Sequence, residues 1–176
     1  TALLKKKYDD LTRNTGPLHK LGTPVLVNII NNQGLMGTRN NTGEFFEHAE
    51  DICGEKMKEE YWRADTACRG CPVACGKKMD VTKGIFNGQT VKMPEYETLF
   101  ALGSMLDIHD IQAIFSANHL CNLLGIDTIS MGVTLAFVAE CLERGVASAS
   151  DLGGRMDFGD GERLADLVDK TARLQG

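Results

Sequence analysis

The length, composition and charge of the chain are those of an ordinary globular domain. Its 176 residues suffice for one domain with a hydrophobic core, and the 43% of apolar and 24% of charged residues agree with that class. A net charge of −5 gives no reason to expect a nucleic-acid partner, and no apolar run approaches the length of a membrane span. Six cysteines are too few for a secreted disulfide framework, so we expect a reducing, cytoplasmic location. Because the chain opens at Thr1 rather than methionine, we expect a piece of a longer polypeptide, and a processed terminus is the alternative.

The first third of the chain predicts helices that glycine and proline separate. A first helix is predicted over residues 2–13 and ends at Gly16-Pro17. Thr23 as N-cap and Pro24 at the first helical position predict a second helix, although the β-branched residues that follow suit a strand equally. Residues 44–61 predict a third helix with one apolar face.

Three cysteines follow in the pattern C-x2-C-x3-C, at Cys68, Cys71 and Cys75. Thiolates this close in sequence can converge on one metal centre, and iron–sulfur clusters take cysteine ligands at such spacings, usually four of them. Structural zinc also takes four ligands, but typically as two separated pairs. We therefore predict a cluster or metal site whose last ligand lies far away in sequence. The alternative is a disulfide with a spare thiol, or three unlinked loop cysteines.

A small β-hairpin and one further helix are predicted after the cysteines. Lysine, glycine and asparagine turn signals between apolar residues predict the hairpin near residues 79–92. The segment 94–97, Pro-Glu-Tyr-Glu, then opens a helix that runs to about Leu102, since proline and acidic residues suit the exposed N–H groups of a first turn.

The remainder of the chain predicts three more helices. Asp110 caps the first of them and Gly125 ends it. Ser130 is the predicted cap of the second, which reaches Arg144, is apolar on nearly every face and is therefore expected to be deeply buried. The third covers residues 162–174. The predicted fold class is mainly α, a helical bundle-like domain with a small β-hairpin.

Several motifs occur in one order along nearly the whole chain. They are residues 22–28 (Gly-Thr-Pro-Val-Leu-Val-Asn), 38–40 (Thr-Arg-Asn), 68–76 (C-x2-C-P-x2-C-G), 94–97, 118–130 and 158–159. Together they resemble the tungstopterin aldehyde ferredoxin oxidoreductase family. The resemblance implies that residues 1–176 form a single helical domain, the first part of the middle domain of such an enzyme. It implies further that the N-terminal and C-terminal domains are missing, and that the latter supplies the fourth cluster cysteine.

The same resemblance implies a role for eight residues. Glu97 is implied as a proton-transfer group close to the tungsten. The implied cofactor contacts are three ligands of a [4Fe-4S] cluster and four residues of a pterin-binding motif: Cys68, Cys71 and Cys75, and Asn122, Gly125, Ile126 and Asp127. Asn122 stands where the family motif has aspartate, so it can hydrogen-bond a pterin but brings no charge. Without the resemblance, Glu97 would simply complement the helix dipole and Asp127 would be a turn residue.

The resemblance also implies a reaction for the full-length enzyme. An aldehyde is oxidised to a carboxylic acid at a tungsten or molybdenum bis-pterin, and the electrons pass through the [4Fe-4S] cluster to ferredoxin. The implied partners are ferredoxin, a small aldehyde, the missing domains and other subunits of a homo-oligomer, and the chain alone is expected to be inactive. Alternatives are a family member acting on another substrate such as an aromatic acyl-CoA, and a non-catalytic iron–sulfur or zinc-binding module for electron transfer or structure. A cysteine-nucleophile enzyme is disfavoured, because no histidine has a motif that ties it to a cysteine.

Overall fold

The computed structural model describes residues 2–14, 16–150 and 154–175. The helices in this part of the chain are α1 (Ala2–Asn14), α2 (Gly16–Leu21), α3 (Leu26–Asn31), α4 (Ala49–Ile52), α5 (Gly54–Glu60), α6 (Tyr96–Leu102), α7 (Ile111–Leu124), α8 (Thr128–Glu143) and α9 (Leu164–Ala172). The strands are β1 (Trp62–Thr66), β2 (Gly76–Asp80) and β3 (Thr90–Lys92). Single 3₁₀ turns occur at Thr23–Val25 and Ser104–Leu106. The predicted class, mainly α with a small antiparallel β element, is confirmed.

The sheet has the order β1-β2-β3 and both pairs of neighbours are antiparallel. The predicted hairpin is the β2–β3 pair, in which Met79 faces Val91, and it begins slightly earlier than expected, at Gly76. Strand β1 was not predicted. It pairs with β2 from Trp62 to Thr66, with an irregularity after Trp62. As a consequence, the cysteine segment is the connection between two paired strands.

The core lies where α6, α7 and α8 pack together beside the sheet. Leu99, Leu102 and Phe115 are fully buried there. Helix α8 approaches α6 closely because position 132 is glycine: a Cβ atom at Gly132 would lie only 2.3 Å from the carbonyl oxygen of Ala101. Helix α9 covers α7 from another side. The central helices therefore form a layered core, and the two turns that lead into α6 and α8 lie at its edge.

Two of the differences from the predicted helix boundaries have a clear local cause. The single helix predicted over residues 44–61 is instead the pair α4 and α5, because Cys53 between them is extended, with ψ of 164°. Helix α8 begins before Ser130, and its cap is Asp127. The Asp127 backbone is extended, and its carboxylate accepts a hydrogen bond of 2.7 Å from the Ser130 N–H. The N-cap of α8 is therefore Asp127, three residues before the predicted Ser130.

The prediction that α8 is deeply buried on nearly every face is wrong. Met131, Leu135 and Ala136 are buried, whereas Val133 is 39% and Phe137 60% exposed. Only one side of α8 packs against α6 and the 3₁₀ turn after it. The apolar composition of the helix therefore exceeds what this part of the chain covers.

Within the described ranges, no single helix is long and apolar enough to span a membrane. Helices α7 and α8 meet the length and composition requirement only as a pair, and the pair is bent by 120°.

Candidate functional site

The three predicted cluster cysteines lie in the connection between β1 and β2. Cys68 is exposed, Cys71 and Cys75 are partly exposed, and all three are free thiols, so the disulfide alternative is not formed. The Cys71 N–H donates a hydrogen bond of 3.0 Å to the Cys68 carbonyl and closes a turn in which Gly70 has φ of 74°. Positive φ is a conformation that glycine adopts without strain. The local sequence thus forms the tight turn that the C-x2-C spacing requires.

A buried lysine fixes the end of this connection. Lys77 is 1% exposed, and its Nζ atom donates to the carbonyl oxygens of Ala74 at 3.1 Å, Cys75 at 3.3 Å and Gly76 at 3.2 Å. The same nitrogen lies 3.5 Å from a carboxylate oxygen of Asp65 on β1. One ammonium group therefore holds three successive carbonyls beside the last cysteine.

The pKa of the Asp65 carboxylate is lowered by its neighbours, Lys77 among them. Partial burial would raise its pKa, but a hydrogen bond from the Trp62 indole and the positive charges of Lys77 and Lys58 hold the pKa below its ordinary value overall. The sequence analysis missed Lys77. The signal that was available is strand alternation, since Lys77 shares one face of β2 with the buried Met79.

The thiols suit an iron–sulfur cluster by their chemistry and their accessibility. Their number is one short, and they do not converge on one point. They supply three of the four thiolates that such a cluster usually takes. Among the residues that the structure describes, no three histidine, cysteine, aspartate or glutamate side chains are close enough together to hold a metal ion. The three cysteines are therefore candidate ligands on a hydrogen-bonded turn rather than an assembled metal site.

The predicted proton-transfer segment lies at the start of α6, and Thr23 organises it. The Thr23 hydroxyl accepts a hydrogen bond of 2.9 Å from the Tyr96 N–H and donates one of 2.7 Å to the Glu95 carboxylate. Thr23 was predicted to cap its own helix; it caps α6 instead, 73 residues away in sequence. Gly22 packs against the cysteine connection, because a Cβ atom there would lie 2.9 Å from the Cys75 carbonyl oxygen.

Glu97 lies in the first turn of α6 and is exposed. Its carboxylate makes no hydrogen bond or ion pair with another residue that the structure describes, whereas Glu95 is bound by Thr23 and lies 3.7 Å from Lys92 Nζ. Burial and the negative charge of Glu97 raise the pKa of the Tyr96 hydroxyl. Of the two acidic residues in the segment, Glu97 is therefore the one available to another group.

The predicted pterin segment forms the turn between α7 and α8. Gly125 ends α7 with φ of 70°, and the Ile126 N–H bonds the Cys121 carbonyl at 2.9 Å. Asn122 is exposed, and its side-chain N–H donates a hydrogen bond of 2.7 Å to the Asn118 carbonyl oxygen. Its side-chain oxygen therefore stays available as an acceptor. The hydrogen bond from Ser130 lowers the pKa of Asp127, whose main structural task is the helix cap.

The first turn of α6 connects these segments. On one side it is bound by Thr23, which follows the glycine packed on the cysteine connection. On the other side the hydroxyl of Thr98 shares a 2.8 Å hydrogen bond with that of Thr128, the first residue of α8. The structure thus joins the cysteine connection, the Glu97 segment and the 122–128 turn through one helical turn, although they lie up to 60 residues apart in sequence.

The motifs at 38–40 and 158–159 contact each other. Arg39 forms ion pairs with Asp107 at 3.0 Å and with Glu143, and its guanidinium lies 4.5 Å from the centre of the Phe158 ring. Arg39 and Asn40 both have positive φ, a strained conformation that the surrounding hydrogen bonds maintain. This contact fixes the C-terminal end of α8 and contains no residue of the candidate site.

Comparison with known proteins agrees with the family that the motifs indicate. The family model described as "Aldehyde ferredoxin oxidoreductase, domains 2 & 3" matches residues 2–176. The tungsten-containing aldehyde ferredoxin oxidoreductase of Pyrococcus abyssi is 39% identical over 99% of this chain and 29% of that protein, and that of Thermococcus kodakarensis is 42% identical over 89% of this chain and 26% of that protein. The aliphatic sulfonate oxidoreductase, WOR-like subunit, of Pyrococcus furiosus is 32% identical over 67% of this chain and 18% of that protein.

The chain thus spans less than a third of the length of these relatives. Since the family model covers nearly every residue in one continuous match, the chain belongs to the aldehyde ferredoxin oxidoreductase family.

Proposed function

We propose that this chain is the part of a tungsten-dependent oxidoreductase that carries three ligands of an iron–sulfur cluster and one side of a pterin site. The complete enzyme oxidises aldehydes to carboxylic acids and passes the electrons to ferredoxin. The observation that carries this proposal is the first turn of α6, which contacts both the segment beside the cysteine connection and the first residue of α8. Family membership adds the class of chemistry.

The cysteine connection would hold a [4Fe-4S] cluster through Cys68, Cys71 and Cys75, and a fourth ligand comes from elsewhere in the polypeptide. When bound, the cluster supplies one-electron transfer. Lys77 donates to the carbonyls at the end of the connection, so hydrogen bonds within this chain hold the backbone around Cys75.

The 122–128 turn would contact the pterin of a tungsten cofactor. The side-chain oxygen of Asn122 is an acceptor for a ring N–H, and Gly125 presents backbone without a side chain at the same turn. Asp127 keeps the turn in place by capping α8. This chain therefore binds and orients the cofactor, while the cofactor itself supplies the oxidation chemistry.

Glu97 would move a proton at its free carboxylate. A carboxylate works best as an acid or base when its pKa lies near the working pH, and burial raises a carboxylate pKa toward that range. In this chain Glu97 is exposed, so its cover must come from a part of the enzyme outside these residues.

The test is metal and substrate analysis of the parent polypeptide of full family length, purified without oxygen. We expect iron and tungsten together, and reduction of ferredoxin that depends on an aldehyde. Zinc alone in stoichiometric amount would refute the proposal and support a structural zinc module. An aliphatic sulfonate and an aromatic acyl-CoA serve as comparison substrates, and turnover of either one without aldehyde turnover would keep the family chemistry but reject the aldehyde as substrate.

A further inference from the structure

Lys77 is a buried cation beside one of the candidate cluster ligands. Its side chain is 1% exposed, and its Nζ atom lies 3.3 Å from the Cys75 carbonyl oxygen, 3.1 Å from that of Ala74 and 3.2 Å from that of Gly76. Three acceptors require three N–H donors, which a lysine has only as the protonated ammonium group. Lys77 is therefore a fixed positive charge at the end of the cysteine connection.

The carboxylate that pairs with Lys77 is much more exposed than the lysine. An Asp65 oxygen lies 3.5 Å from Lys77 Nζ, but the Asp65 side chain is 44% exposed. The same carboxylate lies 3.7 Å from the Lys58 ammonium group and accepts a hydrogen bond of 3.0 Å from the Trp62 indole. Water screens an exposed charge far more than a buried one. The negative charge of Asp65 therefore reduces the field of Lys77 at the cysteine connection without cancelling it.

The neighbouring cations are placed differently. Arg63, Arg69 and Lys78 are exposed, so water and salt screen their charges. Lys78 is the next residue of β2, and side chains alternate between the two faces of a strand, so it points away from the buried face that Lys77 shares with Met79. Lys78 thus carries the same charge at nearly the same place in sequence, but in water.

We propose that Lys77 raises the reduction potential of the [4Fe-4S] cluster assigned to the cysteine connection. The inference rests on the proposed function, because it needs a cluster at this place. Net charge, hydrogen bonds and solvent exposure set the potential of such a cluster, and its reduction adds one negative charge. A buried positive charge stabilises that added charge, so Lys77 favours the reduced form over the oxidised form.

Lys77 acts through its charge and through the backbone of Cys75, and it is neither a ligand nor a catalytic residue. Under the proposed function it favours electron uptake at the cysteine connection and opposes electron release to ferredoxin. The chain therefore contains its own means of setting the balance between these two transfers, in a residue that belongs to none of the family motifs.

Reduction potentials of charge variants of the full-length polypeptide test this inference. The protein is purified without oxygen and titrated with dithionite in the presence of redox mediators, and the reduced cluster is followed by electron paramagnetic resonance. Lys77→Met is expected to lower the midpoint potential by about 59 mV or more, which is a tenfold change in a one-electron equilibrium. The matched control Lys78→Met is expected to change that equilibrium by less than about threefold, because its charge is already screened.

Asp65→Asn separates the effect of charge from that of structure. It removes the negative partner of Lys77, while the amide oxygen can still accept the hydrogen bond from Trp62. The potential is expected to rise, by about threefold or more in the same equilibrium, since the field of Lys77 is then unopposed. Opposite shifts in Lys77→Met and Asp65→Asn follow from their opposite charges, whereas a general loosening of the connection would not reverse its sign between them.

Each result decides between the claims. Potentials that are equal in the wild type, Lys77→Met and Asp65→Asn, or that shift in the same direction in both variants, would overturn this inference and leave the cluster assignment intact. If Lys77→Met loses its iron, Asp65→Asn decides alone: a raised potential supports the inference and an unchanged one overturns it. A wild-type protein without the signal of a cluster would refute the proposed function, and this inference with it.

Discussion

Replacement of Lys77 by methionine tests whether one buried ammonium group maintains the cysteine connection. The side chain keeps its length but loses its three donors, so the carbonyls of Ala74, Cys75 and Gly76 lose their partner. A hydrogen bond that involves a charged group contributes about 1.5–3 kcal/mol. Two effects offset part of this loss: the burial cost of the charge disappears, and the three carbonyls belong to half-buried residues that water can reach.

The expected net loss is therefore about 2–4 kcal/mol of unfolding free energy, well below the sum of three charged hydrogen bonds. For a chain of this size that loss lowers Tm by about 4–16 °C. Urea unfolding followed by circular dichroism measures it, and Lys78→Met is the matched control, because Lys78 is the next residue of β2 and is exposed. The variant also removes one of the charges that lower the pKa of Asp65, so that pKa should rise. Equal stabilities of the two variants, within about 0.5 kcal/mol, would refute the reasoning.

Three further predictions concern Glu97, α8 and the turn before it. Glu97→Gln in the full-length polypeptide should keep tungsten and iron but lower turnover about 10²–10⁴-fold, and unchanged turnover would remove Glu97 from the site. Gly132→Ala should lower the free energy of unfolding by about 1–3 kcal/mol, because the added carbon meets the Ala101 carbonyl. The control Ser130→Ala should change it by less than about 0.5 kcal/mol. Similar losses in the two variants, measured by urea unfolding, would contradict the close packing of α8 on α6. The hydrogen bond from Ser130 depresses the pKa of Asp127 in the folded state, so the stabilising contribution of Asp127 is present above its unfolded pKa of about 3.9 and is lost as the pH falls through the lower folded value. Asp127→Asn keeps the cap but cannot titrate, so unfolding of the variant should depend less on pH below about 4, and an identical acid dependence in both proteins would count against this assignment.

The sequence predicted those elements that local chemistry determines. Pro94 and the acidic residues after it mark the start of α6, Asp110 caps α7, and Gly125 ends α7 in the left-handed conformation. In each case the residue that carries the signal lies at the boundary it marks, so a single sequence is sufficient. The hairpin of β2 and β3 was found for the same reason, since its turn residues lie between the two strands.

Contacts between distant segments were not predictable in this way. Strand β1 has no strong pattern of its own and forms because β2 is available to pair with it. Thr23 carries an N-cap signal, but its hydroxyl binds the Tyr96 N–H on another helix, and nothing near Thr23 in sequence shows that. The composition of α8 is apolar on nearly every face, but contacts within this chain bury only one side of the helix, and a single sequence does not show which side.

The candidate site shows the same difference between local motifs, which the sequence reveals, and contacts between distant segments, which it does not. The cysteine spacing and the family motifs identify the residues, whereas their connection through the first turn of α6 depends on the hydroxyls of Thr23 and Thr98, which no motif singled out as site residues. Lys77 was missed because a lysine on a strand is usually exposed. Its alternation with Met79 was the available signal, and the pairing of β2 on both sides completes its burial.

The iron content of cysteine variants tests the central claim most directly. The full-length polypeptide is purified without oxygen as the wild type, as Cys71→Ser and as Cys141→Ser, which alters a cysteine of similar exposure outside the motif. If Cys68, Cys71 and Cys75 hold a [4Fe-4S] cluster, the wild type and Cys141→Ser carry equal iron and the same cluster spectrum, while Cys71→Ser loses most of both. A Cys71→Ser protein with the iron content and spectrum of the wild type would contradict the assignment of this connection as the cluster site.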